Sequence, residues 1–191
     1  KAFYLSRDKE SFALLMEQGT GKTKVIIDNA AYLYGRDEIS ALTVIAPNGV
    51  HRNWLSKEIP AHMPDWCDYK SVYYYSGISA KDTAKFNDII SAQDCLKIFA
   101  FNCEAFVSKK AVSFMEKIIL SNKVMLVVDE SSRIKTPGAK RTKVITKFSK
   151  DVKYKRIMTG TPVTKGPEDV YSQFKFLDPY ILGYDSYYLE F

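Results

Sequence analysis

The chain has 191 residues, 46% of them hydrophobic, 14% aromatic and 26% charged, enough for one domain whose core needs no disulfide or metal. Nine glycines and seven prolines are too few for a linker or low-complexity chain, and no apolar run approaches the ~18 residues of a membrane span. Its 28 Lys and Arg against 22 Asp and Glu leave a net charge of +6, which permits a nucleic-acid partner without requiring one.

The first predicted strand, 12–16, leads into a glycine-bearing turn and then a helix over 22–34 with Ile26, Ala30 and Leu33 on one stripe. Further Val- and Ile-rich runs predict strands at 41–46, 71–75, 96–101, 124–128 and 154–158. Helical patterns at 48–59, 81–91, 108–120 and 139–148 separate them. A last helix, 167–177, places Pro167 in its first turn and Val170, Phe174 and Leu177 on one face. Several strands are apolar at nearly every position, as strands covered on both faces must be. Alternating strand and helix predict a single α/β domain over 1–191, a mostly parallel sheet with helices on both faces. The opening Lys1-Ala2-Phe3-Tyr4 carries neither a start methionine nor a signal-peptide pattern, as expected of a piece of a longer polypeptide. Cys67, Cys95 and Cys103 fit no zinc spacing and no disulfide framework; they are expected to be buried thiols of a reducing, intracellular compartment.

The turn after the first strand reads Met16-Glu17-Gln18-Gly19-Thr20-Gly21-Lys22-Thr23. Glycines let successive N–H groups converge on phosphate oxygens, and the helix that follows adds its positive N-terminal dipole. Gln18, Gly19, Thr20, Gly21, Lys22 and Thr23 are therefore the candidate nucleotide cradle. Lys22 would reach the β- and γ-phosphates of ATP, and the Thr23 hydroxyl would ligate Mg²⁺. Met16 stands where the general pattern has a glycine, so the turn must begin later, at Gly19.

Val124-Met125-Leu126-Val127-Val128 runs straight into Asp129-Glu130. A doubly covered strand that ends in two acids delivers them to the carboxyl edge of the sheet, where α/β folds bind ligands. Asp129 is expected to hold Mg²⁺, and Glu130 to orient and deprotonate the water that attacks the γ-phosphate. Phosphoryl transfer needs positioning and charge neutralisation above all, so a lysine, a metal and a base account for most of the machinery. A solvated strand end remains the alternative for the acidic pair considered alone.

This order of motifs resembles the first RecA-like lobe of superfamily 2 helicases, and most closely their Swi/Snf-like branch of DNA translocases. Gly19-Thr20-Gly21-Lys22-Thr23 matches that family's first motif. Thr43-Val44-Ile45-Ala46-Pro47 followed by Asn53-Trp54 is similar to its second conserved segment, and Asp129-Glu130-Ser131-Ser132-Arg133-Ile134-Lys135 to its Asp-Glu-Ala-His-Arg-Ile-Lys segment. Met158-Thr159-Gly160-Thr161-Pro162 and the Phe-Leu-Asp-Pro turn at 176–179 complete the set. Ser131-Ser132 replaces Ala-His, so a histidine that helps couple the nucleotide site to the Thr-Gly-Thr-Pro segment is missing. Val163-Thr164-Lys165 lacks the Gln-Asn common in chromatin remodellers. These departures suggest a divergent, viral or bacterial, relative.

The resemblance implies a P-loop ATPase lobe that works with a second RecA-like lobe, which carries arginine fingers, and with DNA, duplex in the first instance, across the top of both. The adenine-reading glutamine is expected before Lys1. Thr159, Gly160 and Thr161 are the expected coupling residues between nucleotide and nucleic acid. Pro47, Asn48, Asn53, Asn102, Arg133 and Lys135 are the expected nucleic-acid contacts or their supports. Trp54 reads either as part of that tracking surface or as a core aromatic. Lys140, Arg141, Lys143 and Lys147 extend a basic stripe that is either phosphate-contacting or a solvated helix face. Tyr73-Tyr74-Tyr75 reads as a half-buried strand rather than a base-stacking platform, and His51 and His62 lie on no metal-ligand spacing. Three competitors stay open at this stage. They are a strand-separating helicase or restriction-enzyme motor, a nucleic-acid-binding scaffold with a decayed ATPase, and a P-loop kinase acting on a small molecule.

Overall fold

Leu42, Val44 and Ala46 turn to one face of the central strand at 41–46 and Ala41 and Ile45 to the other, yet all five are fully buried. Only a sheet covered on both sides satisfies that pattern. In the structure, a computed structural model describing residues 1–183, six strands form that sheet: β1 (Ser11–Leu15), β2 (Ala41–Ala46), β3 (Tyr69–Tyr73), β4 (Leu96–Asn102), β5 (Val124–Asp129) and β6 (Tyr154–Thr159). Their order is β1-β6-β5-β2-β4-β3, and every neighbouring pair is parallel.

Parallel neighbours require crossovers, and helices supply them. After a short α1 (Ala2–Ser6), α2 (Lys22–Gly35) follows β1, and α3 (Val50–Asn53) with α4 (Ile59–His62) follows β2. The remaining helices are α5 (Ala80–Ile90), α6 (Lys109–Ser121), α7 (Lys140–Phe148) and α8 (Tyr171–Leu177). Ile26, Ile27, Ala30, Trp54 and Ile59 cover one face. Phe86, Phe114, Met115, Ile145 and Phe176 cover the other. Among the described residues no helix is long and apolar enough to cross a membrane.

The predicted elements are present, with three informative departures. The helix expected over 48–59 is instead a run from Val50 to His62 whose middle, Trp54–Glu58, is π-helical, with Ile59 N–H reaching back five residues to Trp54 O. Pro60 explains it: its ring nitrogen has no hydrogen for the carbonyl four residues earlier, so the ladder shifts register just before it. The strand expected at 71–75 begins two residues earlier, because Leu96 N–H bonds Asp68 O and pairing starts at Tyr69. It ends earlier because Tyr75 O turns aside to accept from Ile78 N–H. Short 3-10 turns at Cys103–Val107, Ser131–Ile134 and Ser149–Asp151, like α1, are too brief to leave a period in the sequence, and the first turn of the helix expected over 167–177 is 3-10 at Pro167–Val170, with α8 starting at Tyr171.

Arg156 on β6 is fully buried, and its guanidinium is surrounded by carbonyls. Nη1 donates to Glu10 O at 3.1 Å and Lys155 O at 2.8 Å; Nη2 donates to Ser6 O at 2.9 Å and Lys9 O at 2.7 Å. Burial lowers its pKa to about 10, so it is still a cation at neutral pH. This one side chain fastens α1 and the segment before β1 to the sheet. Cys67, Cys95 and Cys103 are buried free thiols, and burial raises Cys67 to about 11 and Cys103 to about 12.

Candidate nucleotide site

The strand order decides what meets at the carboxyl edge. β6 lies between β1 and β5, with Leu15 opposite Thr159 and Asp129 opposite Met158. The glycine-bearing turn after β1, the Thr-Gly-Thr-Pro segment after β6 and the acidic pair after β5 therefore emerge side by side.

Met16 N–H bonds Thr159 O at 3.2 Å and extends the β1–β6 ladder by one residue, so the turn starts beyond Met16. Gly19 and Gly21 take φ of 73° and 82°, left-handed values that cost other residues strain. A Cβ placed on either would meet nothing within 4 Å, so conformation rather than crowding demands glycine. Gly21 stands at the N-terminus of α2, whose unpaired N–H groups face the loop. Lys22, the first residue of that helix, is buried and folds back so that Nζ donates to Met16 O and Glu17 O, each at 2.7 Å. Glycines, amides, a helix dipole and a cation at one concave turn are the donor set a polyphosphate needs.

Asp129 ends β5 buried, and burial raises its pKa above the ordinary aspartate value. The neighbouring Glu130 charge adds to the rise, while the Trp54 hydrogen bond and the charge of Lys22 oppose it. Trp54 Nε1 donates to Asp129 Oδ2 at 2.9 Å, and the indole is 1% exposed. Trp54 is thus no part of a nucleic-acid surface; it is a core aromatic that also orients the first acid. Indole N–H is a donor only, so the acceptor beneath it must be an oxygen such as this one.

Glu130 adopts φ 49° and ψ 59°, a left-handed conformation that costs a non-glycine residue about 1 kcal/mol or more. Thr159 Oγ1 donates to its Oε2 at 3.1 Å and in turn accepts from Thr161 N–H at 3.1 Å. Thr159, fully buried, is therefore bonded through its carbonyl to Met16, just before the glycine-bearing turn, and through its hydroxyl to the acidic pair. Gly160 lies against the turn as well: a Cβ there would come within 3.5 Å of Met16 O and 3.6 Å of Gln18 N.

The residues expected at a nucleic-acid surface divide. Asn48, Asn53 and Arg133 are exposed, and Asn102 closes β4 half-buried with Oδ1 lacking a partner among the described residues. Pro47 is buried and only supports the turn, accepting from His51 N–H at 3.3 Å. Lys135 is engaged within the chain: its Nζ reaches Asp169 Oδ2 at 3.2 Å and also bonds Thr164 Oγ1. Asp169 Oδ2 further accepts from Thr164 N–H and Lys165 N–H, each at 2.8 Å. The Thr164 hydroxyl first, then these amides and Lys135, hold its carboxyl well below the ordinary range. Nothing in the local sequence marked Asp169, because its partners lie four or five residues before it and 34 before it. Tyr74, one residue past β3, is buried and stacks on Phe101 in the core.

Comparison with known proteins agrees with this geometry. A family model described as the SNF2-related domain matches residues 2–190. Among curated proteins, the chain is 25% identical over 167 residues to "Protein CHROMATIN REMODELING 5" of Arabidopsis thaliana, covering 85% of this chain and 9% of that one. It is 24% identical over 182 residues to a Xenopus tropicalis SWI/SNF-related regulator of chromatin containing DEAD/H box 1, covering 94% of this chain and 17% of the relative. The fold is that of the Sulfolobus solfataricus SWI2/SNF2 ATPase core solved in complex with dsDNA, with TM-score 0.69 and 22% identity over 97% of this chain and 36% of that one. The chain thus spans a minor part of each of these relatives.

Proposed function

The chain belongs to the SNF2-related family, and from that premise we propose that it is the ATP-binding first lobe of a DNA-dependent ATPase that moves along duplex DNA. The observation that carries this reading is Thr159, hydrogen-bonded on one side to Met16, the residue that leads into the glycine-bearing turn, and on the other to Glu130. A polyphosphate cradle and a carboxylate pair that share one buried residue belong to one site.

In this reading Gln18, Gly19, Thr20, Gly21, Lys22 and Thr23 bind the ATP phosphates, with the Lys22 ammonium leaving the Met16 and Glu17 carbonyls for phosphate oxygens. Thr23 and Asp129 hold Mg²⁺, which supplies charge neutralisation at the phosphates. Glu130 orients the attacking water and takes its proton. Thr159, with Gly160 and Thr161, carries the state of that site to the loop beyond it. Asn48, Asn53, Asn102 and Arg133 then face DNA phosphates, with Pro47 shaping the turn beneath them; Lys135 acts on the DNA side through the loop that it fastens. A second RecA-like lobe closes over the nucleotide and supplies an arginine finger, worth about 10³–10⁵ in rate, so this lobe by itself turns over very slowly. The intact Lys22, Asp129 and Glu130 constellation favours a working ATPase over a scaffold, and the buried free thiols support a reducing compartment.

The test is Glu130→Gln in the full-length protein with duplex DNA. It is expected to bind ATP with Mg²⁺ as before while DNA-stimulated hydrolysis falls by about 10² or more. Loss of binding, or unchanged turnover, would remove Glu130 from its role. Translocation without strand displacement, on a triplex-displacement substrate beside a forked duplex, separates the duplex motor from a strand-separating helicase.

A further inference from the structure

Glu130 stands between two anchored neighbours. Behind it, Asp129 is tied to Trp54. Ahead of it, Ser131 is fully buried and donates from Oγ to Gln173 Oε1 at 2.6 Å, across 42 residues of sequence. Gln173, itself 1% exposed, uses its amide completely: Nε2 donates to Pro162 O and to Asp169 O, each at 2.8 Å. Two carbonyls can be served only by the NH₂ end, so the amide orientation is determined by its partners. The residue sits on α8, which is anchored in the core by Phe176 and Leu177. It is a fixed post with one contact to the segment after the acidic pair and another to the end of the Thr-Gly-Thr-Pro segment.

A buried polar network with every group satisfied contributes little net stability compared with apolar residues of equal volume, but it specifies one arrangement. What this network specifies is the backbone on either side of a left-handed glutamate. Without it, the 3-10 turn Ser131–Ile134, held otherwise by Arg133 N–H on Glu130 O and by buried Ile134, would lose the side-chain anchor next to Glu130, whose left-handed backbone is strained.

We propose that Gln173 is a positioning residue for hydrolysis, holding Glu130 in its left-handed conformation through Ser131 and coupling it to the Thr159–Pro162 segment through the Pro162 carbonyl. The inference rests on the reading of Glu130 as the residue that orients water. It assigns to α8 a function in the ATPase cycle: movement of the loop at 162–169 is transmitted to Glu130 through one amide.

Two variants test it in the full-length protein with duplex DNA: Ser131→Ala, and Ser131→Ala combined with Gln173→Met, which replaces the pair by apolar groups of similar size. Both are expected to lower DNA-stimulated kcat about tenfold or more, because small misplacements of a reacting group carry costs of that order, while KM for ATP changes less than about twofold. Nucleotide-binding stoichiometry stays near that of the parent in both, while the double variant, which also takes the Nε2 donor from the Pro162 and Asp169 carbonyls, melts several degrees lower. Wild-type kcat in both overturns the proposal, and so does a kcat that falls only in proportion to lost binding-competent protein. Should the double variant fail to fold, the single hydroxyl deletion decides by the same criteria. Lys22→Ala is measured alongside: if it still hydrolyses ATP, the nucleotide reading itself has failed; if it is inactive while the Ser131 and Gln173 variants are not, only the positioning role is lost.

Discussion

The indole N–H of Trp54 and the carboxylate of Asp129, 75 residues apart, meet in a buried hydrogen bond of 2.9 Å. The bond joins the π-helical segment after β2 to the carboxyl end of β5, and it makes the charge state of the candidate magnesium ligand depend on an aromatic residue. Because burial already raises the Asp129 pKa and this bond opposes the rise, the two residues form one electrostatic unit.

Trp54→Phe retains most of the ring and deletes the donor. It is expected to destabilise the fold by about 1–3 kcal/mol. It should also raise the Asp129 pKa further, so that magnesium-dependent nucleotide binding requires higher pH. A titration of nucleotide affinity against pH, with Mg²⁺ held constant, checks this; an unmoved midpoint would disconnect the two residues.

Asp129→Asn should stabilise the nucleotide-free protein at neutral pH while abolishing the stabilisation that ATP with Mg²⁺ provides. The sign follows from the raised pKa: the contribution of Asp129 to stability is full below the ordinary aspartate value of 3.8 and is lost as pH rises through the higher folded value. The asparagine still accepts from Trp54 and carries no buried charge. Thermal melts should diverge at neutral pH and converge in acid; equal melting temperatures at neutral pH would contradict the expectation.

Asp169 has the opposite dependence. Its carboxyl is held well below 3.8, so its contribution is present above that value and disappears as pH falls through the depressed one. In Asp169→Asn the acid limb of the stability curve should be shallower, and the amides of Thr164 and Lys165 should exchange faster with solvent at neutral pH. Urea unfolding between about pH 2 and about pH 5 measures the first effect, hydrogen exchange the second.

Arg156→Met takes the buried guanidinium from the carbonyls of Ser6, Lys9 and Glu10, of which Ser6 O and Glu10 O keep the N–H groups of Lys9 and Lys155. The expected loss is about 3 kcal/mol or more, near 10 °C in melting temperature for a chain of this size. Limited proteolysis should then cut first before β1. A variant that melts with the parent would show that water replaces the guanidinium at no cost.

What could be read in the sequence was what contiguous residues encode. The strand runs, the Gly19-Thr20-Gly21-Lys22-Thr23 turn and the Asp129-Glu130 end of β5 follow from local period and local conformational demand, and each is present in the fold. Even Met16 could be interpreted, since a turn that starts after it leaves its N–H free to continue the ladder. The run from Val50 to His62 departs from the helix expected over 48–59 because Pro60 acts on the residues before it, and a missing hydrogen leaves no mark on apolar period.

The site itself was assembled by pairings that no period carries. The residues alone predicted a parallel sheet; they did not say that β6 inserts between β1 and β5 and so brings Thr159 into contact with both halves of the site. Nor could they tell that Trp54 faces Asp129, that Lys135 is engaged by Asp169, or that Ser131 meets Gln173. Strand order depends on which crossovers bury the most apolar surface together, a property of the whole core. Long-range hydrogen bonds are then selected by the low dielectric that the core creates, where an unmatched polar group is costly and only complementary partners persist.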